Sequence, residues 1–201
     1  MLKAGFARTD ITPPLGSPLA GSYKLRNADG VLDPIYLNAL ALQEGEQTVV
    51  IIAADVQMTR REVCDVLRDG IEARTGVPAD HILINSLHSH TSVRLGGKVG
   101  PDSSVIGDQT YLDVLYRKFC DVAQMAVDDL AEATYGTAVE RAVADISFVR
   151  RYVLKDGTLK TNPGTYAPDE IEGPAAASDN NVRLVLFRRE EKKDIALVNF
   201  A

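Results

Sequence analysis

Two of the three histidines in this sequence stand one residue apart, His88-Ser89-His90, at the end of an apolar run that begins Ile82-Leu83-Ile84. On an extended chain, residues i and i+2 face the same way about 6 to 7 Å apart, so both imidazoles can reach one divalent ion. Histidine is the commonest zinc ligand, and a catalytic zinc site needs three protein ligands plus an open position. A metal-free, hydrogen-bonded pair at a strand end is the other reading of the same spacing. His81 lies at the start of the run on the opposite parity and reads as a polar residue at a helix-to-strand junction, remote from the pair. Asp55 ends a strand whose preceding residues are apolar or small, and a carboxylate so placed must find a partner. Three roles fit it: metal ligand, orienter of a ligating histidine, or cap of a turn. Arg150 and Arg151 end a predicted strand, so alternation turns one of them inward. An inward guanidinium binds a carboxylate or steadies an oxyanion, whereas an outward one makes a surface ion pair.

The elements that must position these groups follow from hydrophobic pattern. Two apolar runs, 35–43 and 48–56, are separated by Glu44-Gly45-Glu46 and predict a hairpin. The second, Val49-Val50-Ile51-Ile52-Ala53-Ala54, is apolar on both faces, which predicts a central strand covered on both sides. Thr59 and Glu62 have the form of a capping box, with Val63, Val66, Leu67 and Ile71 on one helical stripe and Gly76-Val77-Pro78 as the stop. Residues 48–88 therefore read as strand, helix, strand, a unit that joins parallel strands and brings Asp55 and His88 to one C-terminal sheet edge. A glycine-rich stretch, 94–107, lacks the spacing of a phosphate loop and reads as an active-site wall. A long helix is predicted over 108–131, with Leu112, Leu115, Phe119, Val122 and Ala126 inward. Strands follow at 137–151, 182–187 and from 195 onward. Asp156-Gly157 marks a hairpin turn, and 163–181 reads as an extended loop or lid. Cys64 and Cys120 fall in helical patterns and read as buried thiols. The fold class expected is α/β, with mixed β-sheets flanked by helices.

The chain has 201 residues, 45% of them hydrophobic and 25% charged, which is enough to build a core without disulfides or a structural metal. The balance of 22 basic against 28 acidic residues, with no long basic cluster, argues against a nucleic-acid surface. No window is apolar enough to span a membrane. The opening residues lack the apolar run and cleavage site of a signal peptide, which places the chain in the cytoplasm or marks it as trimmed.

Several stretches, taken in order, carry a resemblance. They are Ala4-Gly5-Phe6-Ala7-Arg8-Thr9-Asp10-Ile11-Thr12-Pro13, Ala53-Ala54-Asp55, His88-Ser89-His90, Arg150-Arg151-Tyr152, Lys155-Asp156-Gly157-Thr158, Thr161-Asn162-Pro163 and the closing Ala196-Leu197-Val198-Asn199-Phe200-Ala201. Their order resembles the N-terminal part of the neutral/alkaline non-lysosomal ceramidases, which are zinc-dependent amidases, and is most similar to the shorter bacterial members. The resemblance implies a zinc-dependent amide hydrolase in which metal-bound water attacks an amide carbonyl. It makes His88 a zinc ligand, His90 an active-site partner beside that water, and Arg150 the arginine that faces the substrate. In the family, the segment like Val198–Ala201 runs into a second zinc-binding histidine, with a glutamate and a tyrosine later. The resemblance thus implies that 1–201 is the N-terminal portion of a single catalytic domain, completed by a second polypeptide segment beyond Ala201, cleaved or omitted. Two further readings stay open: a non-catalytic binding module with a structural histidine pair, and an ester or lactone hydrolase at the same metal.

Overall fold

The computed structural model describes residues 1–22, 24–93, 95, 98–99, 105–106, 108–144, 146–164 and 168–200. The chain divides into two compact units, Met1–Thr134 with Arg189–Ile195, and Tyr135–Arg188 with Ala196–Ala201. Among the described residues no helix is long and apolar enough to cross a membrane.

The first unit is built on a five-stranded mixed sheet of order β4-β3-β2-β1-β7: β1 (Lys3–Asp10), β2 (Tyr36–Glu44), β3 (Gln47–Ala54), β4 (Ile82–Ser86) and β7 (Ala131–Glu132). Strands β2 and β3 form the predicted antiparallel hairpin, from Leu37 opposite Ala54 to Glu44 opposite Gln47. Only Gly45 and Glu46 lie in its turn, and Gly45 takes the positive φ of 59° that a two-residue hairpin loop favours. Helix α1 (Arg61–Thr75) returns the chain so that β4 pairs parallel to β3, Val50 opposite Ile82 and Ala54 opposite Ser86. That crossover brings the chain beyond Ala54 and the chain beyond Ser86 to one edge, as the strand–helix–strand pattern anticipates.

The helix does not begin with a capping box. Its N-cap is Arg60, which makes no side-chain cap, because the Thr59 hydroxyl is paired with that of Ser86 at 2.8 Å. It ends as expected on Gly76, whose φ of 73° suits a left-handed cap. Helix α2 (Gln109–Asp128) opens on Asp108, whose carboxylate accepts from the Tyr111 amide at 3.2 Å. Its buried stripe, Leu112, Leu115, Phe119, Val122 and Ala126, is the predicted one. These residues join Leu67 and Ile71 of α1 against Ala39, Ala41, Val50, Ile52 and Ala54 in one core. Removing each large side chain from water stabilises the unit by about 1.5–3 kcal/mol. The expectation that β3 is covered on both faces needs correction. Val50, Ile52 and Ala54 are fully buried, but Val49 and the neighbouring Leu83 are substantially exposed, so among the described residues both helices lie on one side of the sheet.

At the end of α2, Asp129 gathers two cations and a backbone amide. Its carboxylate accepts from Arg189 at 2.6 Å, Lys192 at 2.7 Å and the Phe6 amide at 2.9 Å. Arg189, itself buried, also donates to the Lys193 carbonyl, which closes the 189–193 turn onto the unit.

The second unit contains two three-stranded sheets. One has the order β10-β9-β11, from β9 (Arg151–Leu154), β10 (Leu159–Thr161) and β11 (Ile171–Pro174). The other has the order β13-β12-β8, from β8 (Thr134–Arg141), β12 (Asn181–Arg188) and β13 (Ile195–Asn199). Asp156-Gly157 makes the predicted turn, with Gly157 at a φ of 81° and the Asp156 carboxylate accepting from the Thr158 amide and hydroxyl. The single strand predicted over 137–151 is instead two, β8 and β9, and the described residues between them belong to no strand. The 163–181 loop contributes β11, paired to β9, so it is only partly irregular. The predicted glycine-rich wall at 94–107 falls largely outside the described residues. Within it, β5 (Lys98–Val99) pairs with β6 (Val105–Ile106).

Candidate functional site

The sheet edge left by the crossover holds the histidine pair. Beyond β4, the Leu87 amide donates to the Ala54 carbonyl and the His88 amide to the Val56 carbonyl, both at 3.0 Å, so the chain still follows the segment leaving β3. At His88 the backbone then turns left-handed, with a φ of 62°. The two rings lie with centroids 4.8 Å apart at 71°, edge to face. The pairing was anticipated, but its cause is different. The strand ends at Ser86, and the turn at His88, rather than strand alternation, brings the rings together.

The His88 ring is oriented by a hydrogen bond from Nδ1 to the Gln57 carbonyl at 2.7 Å. A carbonyl only accepts, so Nδ1 carries a proton, and the tautomer this bond selects is the one with its lone pair on Nε2. A ligating histidine shows this arrangement, its second nitrogen held by a carbonyl or carboxylate. Both rings are exposed, so the lone pair is accessible from solvent.

Asp55 sits one residue beyond β3. Its amide donates to the Tyr36 carbonyl at 3.0 Å, and its Oδ2 accepts from the Tyr36 amide at 2.8 Å. The carboxylate therefore ties residues 55–57 to β2, and two carbonyls of that segment, those of Val56 and Gln57, hold His88. Asp55 and the two carbonyls that hold His88 thus belong to one three-residue segment. His81 lies where expected, at the helix-to-strand junction, with Nδ1 3.0 Å from the Thr48 carbonyl. Arg150 is exposed and precedes β9 rather than ending a strand; its carbonyl accepts from the Asn162 amide at 2.8 Å. Cys64 and Cys120 are half-buried free thiols whose pKa burial pushes up, which makes both poor nucleophiles.

Sequence reasoning passed over the segment between β1 and β2. Its backbone doubles back, with the Leu19 amide donating to the Arg26 carbonyl at 2.8 Å and Pro18 bridging to Asn27. It meets the histidine turn twice: the Arg26 guanidinium donates to the His90 carbonyl at 2.8 Å, and the Ala20 amide to the Ser92 carbonyl at 2.8 Å. Beside that junction opens a pocket of about 510 Å³ whose wall includes Thr12, Leu19, Arg26, Val31, Ile35 and Thr91. That volume suits a small organic ligand. The only signal for this wall in the sequence was its density of Gly and Pro, which marks loops without saying what they touch.

Among the described residues no three His, Cys, Asp or Glu side chains are placed to share a metal ion. The donor chemistry present, two adjacent imidazoles with one fixed as an Nε2 donor, fits part of a zinc coordination shell.

No protein-family model matches this chain, and no curated protein matches its sequence. Solved structures do match its fold. The neutral ceramidase from Pseudomonas aeruginosa superposes with a TM-score of 0.70 at 12% identity, covering 99% of this chain and 31% of that one. A structure described as ceramidase complexed with C2 matches with the same values. The likeness is one of fold, and the chain spans about a third of the length of these neighbours.

Proposed function

We propose that this chain carries the His88–His90 part of the active site of a zinc-dependent amide hydrolase related to the ceramidases. The observation that supports it most is the hydrogen bond from His88 Nδ1 to the Gln57 carbonyl, which fixes the tautomer that leaves Nε2 free to bind a metal. The chemistry that zinc would supply at His88 is a coordinated water acidified to a pKa of about 7 and a polarised carbonyl oxygen. His88 supplies one ligand, and Asp55 keeps that ligand in place by anchoring residues 55–57 in preference to binding the ion itself. His90, whose ring lies against that of His88, holds or passes the proton that an amide nitrogen must gain before it leaves. Arg150, an exposed residue of the second unit, is the positive charge that the ceramidase resemblance assigns to the substrate. The pocket that Thr91, the residue after His90, helps to line receives one arm of the amide, with Leu19, Val31 and Ile35 as apolar wall. A zinc site needs at least one more protein ligand than this pair. In this reading it comes from polypeptide outside these 201 residues, as the fraction of the ceramidase matched would allow.

The test is turnover by the full protein, supplied with zinc, on a panel of N-acyl amides, esters and lactones. The proposal predicts amide cleavage. His90→Ala and Arg150→Ala should each keep zinc and lose rate, His90→Ala by about 100-fold or more. Cleavage of esters or lactones alone would transfer the site to that chemistry, and no turnover with no bound zinc would leave a binding module.

A further inference from the structure

Gly21 occupies a position that no other residue can fill without displacing the His90 ring. Its φ of 81° is left-handed, and a Cβ built on it would stand 2.5 Å from His90 Cγ, 2.6 Å from Nδ1 and 2.9 Å from Cδ2. Carbon atoms in contact sit about 3.5–4.0 Å apart, so the backbone at Gly21 is packed directly on the imidazole. The hydrogen bonds of Arg26 to the His90 carbonyl and of Ala20 to the Ser92 carbonyl clamp the same turn on either side. Ala20 and Ser92 are both buried, so these contacts do not depend on a freely solvated loop.

We infer that Gly21 is a positioning residue for the histidine pair: its bare Cα sets the His90 ring edge to face with His88, and Arg26 holds the turn that carries it. His88 is fixed from the sheet side by Gln57, whereas His90 has its ring fixed from the loop side. This rests on the reading of the pair as an active site, which makes the spacing of the two rings matter. A purely structural glycine would serve its own turn and leave the ring alone.

Gly16 supplies the comparison. It belongs to the same segment, has a φ of 83°, and has nothing within 4 Å of where a Cβ would be. Gly16→Ala and Gly21→Ala therefore impose the same backbone strain, and only the second touches the ring. The experiment is NMR of the imidazole signals of His81, His88 and His90 in the full protein, with and without zinc. Gly21→Ala should displace the His90 signals and leave His81 unmoved, while Gly16→Ala leaves all three at their wild-type positions. Should Gly21→Ala fail to fold, Arg26→Ala removes a clamp without straining the backbone and should displace the same signals. His90 signals unmoved in the folded variant, or moved equally by Gly16→Ala, would overturn the assignment. A displacement in Gly21→Ala with no response of the wild-type histidines to zinc would uphold the positioning role and defeat the zinc reading.

Discussion

A left-handed backbone at a residue that carries a Cβ costs on the order of 1 kcal/mol, and His88 adopts it while holding its ring to the Gln57 carbonyl. The spacing of His88 and His90 was visible in the sequence, but this conformation was not, because nothing local forbids the extended alternative. The hydrogen bond arises from tertiary structure: its acceptor lies on the segment leaving β3, and α1 separates the two in sequence. Asparagine tolerates a left-handed backbone better than alanine. His88→Asn should accordingly be more stable than His88→Ala by about 1 kcal/mol in urea unfolding, and both should lose any metal held there. Equal stabilities would indicate that the strain at this position is relieved some other way. The role of Asp55 was legible only as a need for a partner. That the partner is the Tyr36 amide depends on the hairpin register, which alternation suggests and only pairing determines.

At the scale of elements, the hairpin, the strand–helix–strand unit and both helices were readable because period and punctuation agreed. The capping box failed because Thr59 has a better partner in Ser86, across the sheet edge. The close approach of α2 to β1 had no signal beyond a glycine in a strand. A Cβ on Gly5 would lie 2.1 Å from the Ala126 carbonyl oxygen and 2.8 Å from the Leu130 amide, both backbone atoms that cannot step aside. Gly5→Ala should therefore destabilise the first unit by about 2–3 kcal/mol, measured as a lowered midpoint in denaturant. A change under about 0.5 kcal/mol would show that α2 and β1 slide apart freely. Tyr111 offers a milder test of the same packing, since its half-buried hydroxyl, with a pKa raised by burial, donates to the Ile11 carbonyl. Tyr111→Phe should cost about 1 kcal/mol, the usual net worth of one such bond.

At the scale of the molecule, the clearest acid-range pH dependence among the described residues comes from Asp129, whose partners lie far from it in sequence and so were not legible there. Burial pushes its carboxyl up, but hydrogen bonds from Lys192, the Phe6 amide and Arg189 outweigh that and hold it at about 2. Its folded value lies below the unfolded one of about 3.9, so the stabilisation is complete above about pH 4 and is lost as pH falls through 2. Allowing for partial exposure, it amounts to about 1–2 kcal/mol. Asp129→Asn should lose at least that much at neutral pH, since it leaves the buried Arg189 charge with less compensation, and should flatten the stability curve between pH 4 and 2. An unchanged acid limb would place the acid-sensitive group elsewhere. The zinc reading is likewise a statement about more than one segment, and one measurement addresses it most directly: zinc content of the purified full protein by elemental analysis, beside that of His88→Asn. The account predicts close to one zinc per chain in the wild type and little in a variant that remains folded by circular dichroism. The same zinc content in both proteins, or none in either, would contradict it.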